Sequence, residues 1–581
     1  MRMFTLLLIS LITTSAQDFT TPFERSQKTQ SATYEEAIHY YHQLDKAFGE
    51  VAMLEYGLTD VGKPLNLVVI SRDKVFDPEK IRKTGKRIFL INNGIHAGEP
   101  CGIDASMMLA RDLVTRPEMK KMLDHVVVAI IPVYNIGGAL NRGCCSRANQ
   151  EGPEAYGFRG NAKNLDLNRD FIKSDSRNAR AFANIFHTWQ PDVLVDTHTT
   201  NGADYQAVLT YLATLPGKAD PGIAAYMTEK MIPSLENHMN SHSIKICPYV
   251  NVFGQSPDKG FAAFLDLPRY SSGYASLFQT MSFISEAHML KPFADRVEAT
   301  YTFLEGTLSQ IHADYQNIGD IIHTAREKAK IQTNFDIMWK HDPGVSRPLV
   351  FEGFEARFKP SMVTGQQRLY YDRSSPYKKT VPFFYKYEAV KTIAKPVAYI
   401  IPQAWTQVIE NLKINRVEMY DLKKDTALPV EVSYISGYKT AERAYEGHYP
   451  HSQVEIKKEQ EVIQYYAGDK VVYVNQTRNP YIVHVLEPES QDAFFVWNFF
   501  DGILMQKEYF SDYVFEEEAE KILKENPQIR ESFEEEKARD SVFASNAGLQ
   551  LNFIYKRSVY AEKTYNRYPV TRWNGTTPLP H

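Results

Sequence analysis

"RIFLINNGIHAGEPCGIDASMMLARDLV", residues 87–114, decides how this chain folds. Residues 87–97 form an apolar run that ends in two asparagines and a glycine, which reads as a buried strand. In residues 101–114 the apolar positions Ile103, Met107, Ala110 and Val114 recur at helical spacing, which predicts a helix. The turn between them holds two glycines, a proline, His96 and Glu99. A polar loop closing a strand would account for that turn, and so would half of a metal site. The rest of the chain has to decide.

The same alternation continues. "HVVVAIIPVYN" (125–135), "DVLVDTHTT" (192–200) and "TMSFISEAH" (280–288) read as further strands, and "SRNARAFANIFHTW" (176–189) as a helix. Each strand is apolar on both faces, which indicates a mixed, mostly parallel sheet flanked by helices, an α/β fold. Val297, Tyr301, Leu304, Leu308 and Ile311 then share one face of a long helix. Near "KHDPGVSRP" (340–348) the texture changes to short runs such as "TVPFFYKYEAV", "VEVSYISGY" and "KVVYVNQT", separated by turn residues. Helical pieces at 403–415 and in the acidic stretch 515–540 interrupt them. The expected organisation is an α/β domain over 17–325, then a smaller, mainly β (α+β) C-terminal domain over 345–581.

The 581 residues carry a net charge of -4, with 43% hydrophobic residues, values of an ordinary multidomain globular chain. Nothing points to nucleic acid or to an anionic membrane surface. "MRMFTLLLISLITTSA" (1–16) has a positive start, a short apolar stretch and small residues at its end. It reads as a signal peptide, so the expected mature chain begins near Gln17 and is exported, periplasmic or secreted. No later segment reads as a membrane span. The cysteines are Cys101, Cys144, Cys145 and Cys247. Export permits disulfides, and neighbours such as Cys144 and Cys145 seldom bond each other; the sequence leaves the pairing open, one with Cys101 or Cys247 included.

In open α/β sheets, ligands sit beyond the carboxyl ends of the strands. His96 and Glu99 lie just past the first predicted strand, His198 near the end of the 192–200 strand, and Glu286 near the end of the last. A catalytic zinc wants three protein ligands from histidine and carboxylate, with one position open. His96, Glu99 and His198 supply that set.

"GFRGNAKNLDLNRDF" (157–171) adds a second block. Together with the HxxE pair, the later histidine and the late glutamate, it resembles the zinc metallocarboxypeptidases, the family of carboxypeptidases A, B, N and E. The resemblance covers about residues 35 to 315. It implies one Zn2+ per chain held by His96, Glu99 and His198, with Glu286 as the catalytic glutamate. Arg159 corresponds to the arginine that stabilises the oxyanion; Arg142 and Arg147 compete for that role. Asn168 and Arg169 correspond to the pair that grips a substrate's terminal carboxylate, and Asp166 to the aspartate that orients the first zinc histidine.

The chemistry fits each residue type. A zinc-bound water ionises near pH 7, and a glutamate can take its proton and pass it to the leaving amine. A guanidinium never deprotonates and pairs with a carboxylate bidentately. The implied substrate is a peptide with a free C-terminal carboxylate. For the family's substrate-capping tyrosine, "LPRYSSGYASLF" (267–278) offers Tyr270 and Tyr274, neither at the usual separation. His288 reads as a packing residue or outer donor, and His187 as satisfied within its helix. The Thr199–Thr200 pair is closer to the aspartoacylase and desuccinylase branch, so an N-acyl amino acid deacylase stands as an alternative. A binding module that kept the fold without catalysis is the other.

Overall fold

The computed structural model describes residues 19–576 and Leu579. Residues 1–16, read from the sequence as a signal peptide, lie outside them. The chain divides into two compact units. Among the described residues, the first comprises 19–327 together with 340–388, and the second 328–339 together with the residues from 389 onward.

The first unit is built on eight strands: β1 (Val51–Leu58), β2 (Pro64–Ile70), β3 (Arg87–Asn93), β4 (Val126–Ile131), β5 (Val193–Thr200), β6 (Leu209–Ala213), β7 (Ile246–Pro248) and, after the short β8 (Phe261–Ala262), β9 (Met281–His288). Their order across the sheet is β1-β2-β4-β3-β5-β9-β6-β7. The four central strands β4, β3, β5 and β9 are mutually parallel. They are the four read from the sequence. The outer pairs β1–β2, β2–β4 and β6–β9 are antiparallel, so the sheet is mixed.

Central parallel strands must be covered on both faces, which is why β3, β4 and β5 are apolar at nearly every position. Phe89 and Ile91 of β3 pack in one core with Leu109 and Leu113 of helix Cys101–Thr115 and Leu304 and Leu308 of helix Phe293–Ala313. Their neighbours Ile88 and Leu90, which point to the other face, are buried as well.

A long antiparallel hairpin, Arg347–Pro360 with Gln367–Phe384, also belongs to this unit. Its second strand pairs in parallel with β8, and Phe351, Val381 and Phe383 bury against Tyr205, Val252 and Phe261. Residues 345–388 therefore pack with the α/β unit and not with the C-terminal domain to which the change in texture assigned them. The reason is tertiary: the hairpin's apolar face finds its partners on loops of the first unit.

The second unit holds a six-stranded antiparallel sheet, with Thr426–Thr440 and His451–Tyr465 as its longest hairpin. The acidic stretch forms two helices, Asp512–Glu525 and Pro527–Arg539. Pro527, with no N–H to donate, ends one and starts the other. Phe515, Ile522, Phe533, Phe543 and Leu551 give these helices an apolar cluster of their own.

Cys144 and Cys145 are joined to each other by a disulfide, and Cys101 and Cys247 are free. The pairing that the sequence left open is therefore between neighbours, against their usual reluctance to bond: Cys101 and Cys247 are buried in the core, while the Cys144–Cys145 turn is exposed. No helix among the described residues is long and apolar enough to cross a membrane.

Candidate active site

β3 ends at Asn93, and the turn that follows brings His96 and Glu99 together through a Glu99 N–H to His96 carbonyl bond of 2.9 Å. Gly98 makes this turn possible. A Cβ there would lie 2.9 Å from both the Arg147 side chain and the Gly157 carbonyl oxygen. Two strands away in sequence but adjacent in the sheet, β5 presents His198 beside Asn93's neighbour turn, with His198 in register with Glu286 of β9.

The three expected metal ligands converge. His96 Nδ1 lies 3.0 Å from Glu99 Oε1, His198 Nδ1 lies 3.1 Å from Glu99 Oε2, and the two Nδ1 atoms are 3.2 Å apart. Nitrogen and oxygen ligands bound at about 2.0–2.1 Å around tetrahedral zinc stand roughly 3.3 Å from one another. All three side chains are buried, at 2–3% exposure. The outward nitrogens are also placed: His96 Nε2 is 3.0 Å from Asp166 Oδ1, and His198 Nε2 is 3.1 Å from Asp196 Oδ2. A carboxylate on Nε2 fixes the tautomer that leaves Nδ1 a bare lone pair, the arrangement a metal needs. The donor set therefore fits zinc.

Around this trio lies a cavity of about 200 Å3. Arg147, Arg159, Asn168, Arg169, Tyr270 and Glu286 line it with the three ligands. Arg147 is largely buried and spends both terminal nitrogens on Glu99 Oε1, at 2.9 and 2.6 Å. Arg159 is more open, 46% exposed, and is steered by Asp166 Oδ2 at 2.8 and 3.1 Å. Its Nη1 stands 3.4 Å from His96 Nδ1. Arg169 lays its guanidinium over the Tyr270 ring, 4.6 Å from the centroid. Asn168 is buried, and its side-chain oxygen has no protein partner.

Burial, against the pull of His198, pushes the Glu286 carboxyl up to about 8. Glu99 is held well below the usual carboxylate range: burial opposes its charge, but His96 and Arg147 outweigh it. Asp166 is likewise held low by His96, Arg159 and Arg169 in spite of burial.

Two expectations fail geometrically. Tyr274 does not reach the cavity; it is fully buried in helix Ser271–Ser276 and meets His187 Nε2 through its hydroxyl at 2.8 Å. A cap must be able to touch substrate, and a core tyrosine cannot. Arg142, one competitor for the oxyanion role, points away and donates to the Ser31 and Ala32 carbonyls. His288 is a buried packing residue bonded to the Ala203 carbonyl.

The sequence reading missed Asp196, although strand alternation places it on the same face as His198 two residues on. It also missed Asn201, Leu212, Tyr249, Phe264 and Ile284, which complete the lining and carry no ionisable signal at neutral pH.

Residues 38–199 match the family described as zinc carboxypeptidase. The matched segment contains His96, Glu99 and His198 and ends before Glu286. Among curated proteins, the chain is similar to carboxypeptidase 2 of Trichophyton tonsurans, 21% identical over 421 residues, covering 70% of this chain and 72% of that one. Carboxypeptidase 2 of Trichophyton rubrum is 22% identical over 419 residues, with the same coverage. A solved metallo-carboxypeptidase from Burkholderia cenocepacia is 16% identical, with a TM-score of 0.36 over 49% of this chain and 70% of that one.

Proposed function

We propose that this chain, a hydrolase of the metallocarboxypeptidase type carrying a zinc carboxypeptidase domain, removes the C-terminal residue from peptides. The observation that carries this is the convergence of His96 Nδ1, His198 Nδ1 and the Glu99 carboxylate within 3.0–3.2 Å, in one cleft with Glu286 and three guanidinium groups.

His96, Glu99 and His198 would hold one zinc ion. When bound, zinc supplies Lewis acidity and makes water acidic enough to ionise near neutral pH. The protein groups do the rest. Arg169 pairs with the terminal carboxylate of the peptide, and Asn168 adds an amide contact, which sets the scissile bond at a fixed distance from Glu286. Glu286 accepts the proton of the attacking water at its carboxylate and returns it to the leaving nitrogen, so that the amine departs neutral. Arg159, the more exposed of the two arginines beside Glu99, stands where negative charge builds on the former carbonyl oxygen. Tyr270 braces Arg169 from one side and borders the substrate from the other. Export, with a mature chain from about Gln17, completes the proposal.

Matched peptides with free and amidated C-termini test it. Cleavage of the free form alone, one residue at a time, is expected. Equal cleavage of both forms would remove Arg169 from the reading. Hydrolysis of N-acyl amino acids with no peptide cleavage would point to the deacylase chemistry. Purified protein that binds no stoichiometric zinc and cleaves neither class would leave a binding module.

A further inference from the structure

Three further side chains able to bind a metal meet where helix Ile232–Ser241 packs on helix Phe293–Ala313, and none of them lines the cleft. We propose that His238, His242 and Glu305 form a second zinc site, which pins one helix to the other and takes no part in peptide cleavage.

Helical spacing supplies two of the ligands. His238 lies in the last turn of its helix, and His242, four residues on, caps the end. Residues four apart share one helix face, and here the ring centroids are 4.6 Å apart. Glu305 comes from the facing helix. One ligand atom from each of the three lies within 4.8 Å of the other two. Two imidazoles and a carboxylate are a donor set that zinc takes, with the fourth position left to water.

Gly306 places His238. An added Cβ there would lie 2.6 Å from His238 Cδ2, so the imidazole presses directly on the backbone of the facing helix, one residue from Glu305. Glycine weakens a helix interior, and this contact is what the position gains in return. His238 Nε2 is buried and has no hydrogen-bond partner among the described residues. Glu305 Oε2 stands 3.6 Å from it. That is too long for a hydrogen bond, which closes to about 3 Å. It is near the roughly 3.3 Å between two ligands of one tetrahedral zinc. An ion between the two groups satisfies a nitrogen that is otherwise buried and open.

His242 is exposed, and its Nδ1 lies 2.9 Å from the His238 carbonyl oxygen. A carbonyl only accepts, so Nδ1 carries the proton and the neutral ring keeps a lone pair on Nε2 for a metal. Exposure leaves this ring room to close in on the other two ligands. The alternative is a pair of cationic histidines favoured by a helix C-terminus. Two imidazolium rings with centroids 4.6 Å apart would repel each other, whereas a shared metal holds both neutral. The two helices already share a core through Leu235, Met239, Phe303 and Leu304, and the ion adds a link beside it.

The test counts zinc on the full-length protein after equilibrium dialysis against buffered, low-micromolar free Zn2+. The parent protein is expected to hold two equivalents. His242→Ala, at an exposed position, and Glu305→Gln are each expected to lose one of them. Its affinity should fall at least about 100-fold, because losing a ligand costs more than losing the partner behind one. Both variants are expected to keep the parent rate of peptide cleavage. Raising free zinc until the second site fills should raise the melting temperature of the parent and of neither variant. A parent that binds one equivalent, lost in His96→Gln and kept in both variants, overturns the proposal. So do two equivalents that both variants retain. One equivalent that His242→Ala and Glu305→Gln remove and His96→Gln keeps would uphold this site and take the metal out of the cleft, so the two assignments fail separately.

Discussion

Both histidines of the ligand trio turn Nδ1 inward and give Nε2 to a carboxylate, and the second of those carboxylates is Asp196. Asp196 is fully buried and also accepts the Ser271 hydroxyl at 2.6 Å, so its orientation is fixed from two sides. Asp196→Asn is expected to weaken zinc binding about 10- to 100-fold with the fold intact, read by competition with a chromophoric chelator. Glu286→Gln keeps the shape of the cleft and removes its proton carrier. Its kcat is expected to fall about 10²- to 10⁴-fold with zinc stoichiometry unchanged; a rate that stays at the parent level would take Glu286 out of the chemistry. A buried acid outside the cleft, Asp104, sets a pH effect on stability. One oxygen accepts the Ala32 N–H at 3.0 Å and the other has no protein partner. Burial raises its carboxyl to about 7. The unfolded chain releases this proton near pH 3.9, so the folded state holds it more tightly. Stability from this group is full below about pH 4 and is lost as pH rises through 7, a cost on the order of a few kcal/mol by pH 8. Asp104→Asn keeps the acceptor for Ala32 and removes the titration. It should melt above the parent protein at pH 8 and close to it at pH 4.

At the scale of elements, the ligands are placed by how tightly helix Cys101–Thr115 lies on the sheet. Gly102 sits in its first turn, where an added Cβ would come 1.9 Å from Thr197 Oγ1 and 2.8 Å from Asn93 Oδ1. In an exposed helix, glycine to alanine stabilises by about 1 kcal/mol. Here Gly102→Ala is expected to lower the melting temperature and weaken zinc binding together, because Thr197 is the residue before His198 and Asn93 ends β3. A stabilised variant would show that the helix can move without disturbing the site. The four central strands were legible because each is a continuous apolar run, as a strand covered on both faces must be. β1, β2, β6 and β7 were not read. They mix Thr, Tyr, Asn and Glu with apolar residues, and an outer strand's partners do not show in its own letters. The hairpin 347–384 had the letters of a β domain, which is correct for its local form. Its place beside β8 depends on residues a hundred positions upstream.

For the whole molecule, a zinc ion held as proposed by residues from β5 and from the turn after β3 would tie folding to metal occupancy. Zinc at about 1,000 times its dissociation constant adds on the order of 4 kcal/mol to the folded state. Removing it with a chelator is expected to lower the melting temperature and abolish peptide cleavage, and adding zinc back to restore both; calorimetry with and without chelator reads this directly. The proposed export predicts a mature N-terminus near Gln17, which mass spectrometry of the protein recovered from its native source would display. The amino-acid order alone determined the central α/β alternation, the HxxE turn, the arginine–asparagine block and the two carboxyl-edge residues, since each depends on neighbours within a few positions. Tertiary structure decided the rest: that Arg169 lies over Tyr270 at the cleft, that Tyr274 meets His187 in the core, and that Leu212 lies opposite Ile284. Those are pairings between distant segments. They are fixed by strand register and by which faces must be buried, and no short stretch of sequence records them.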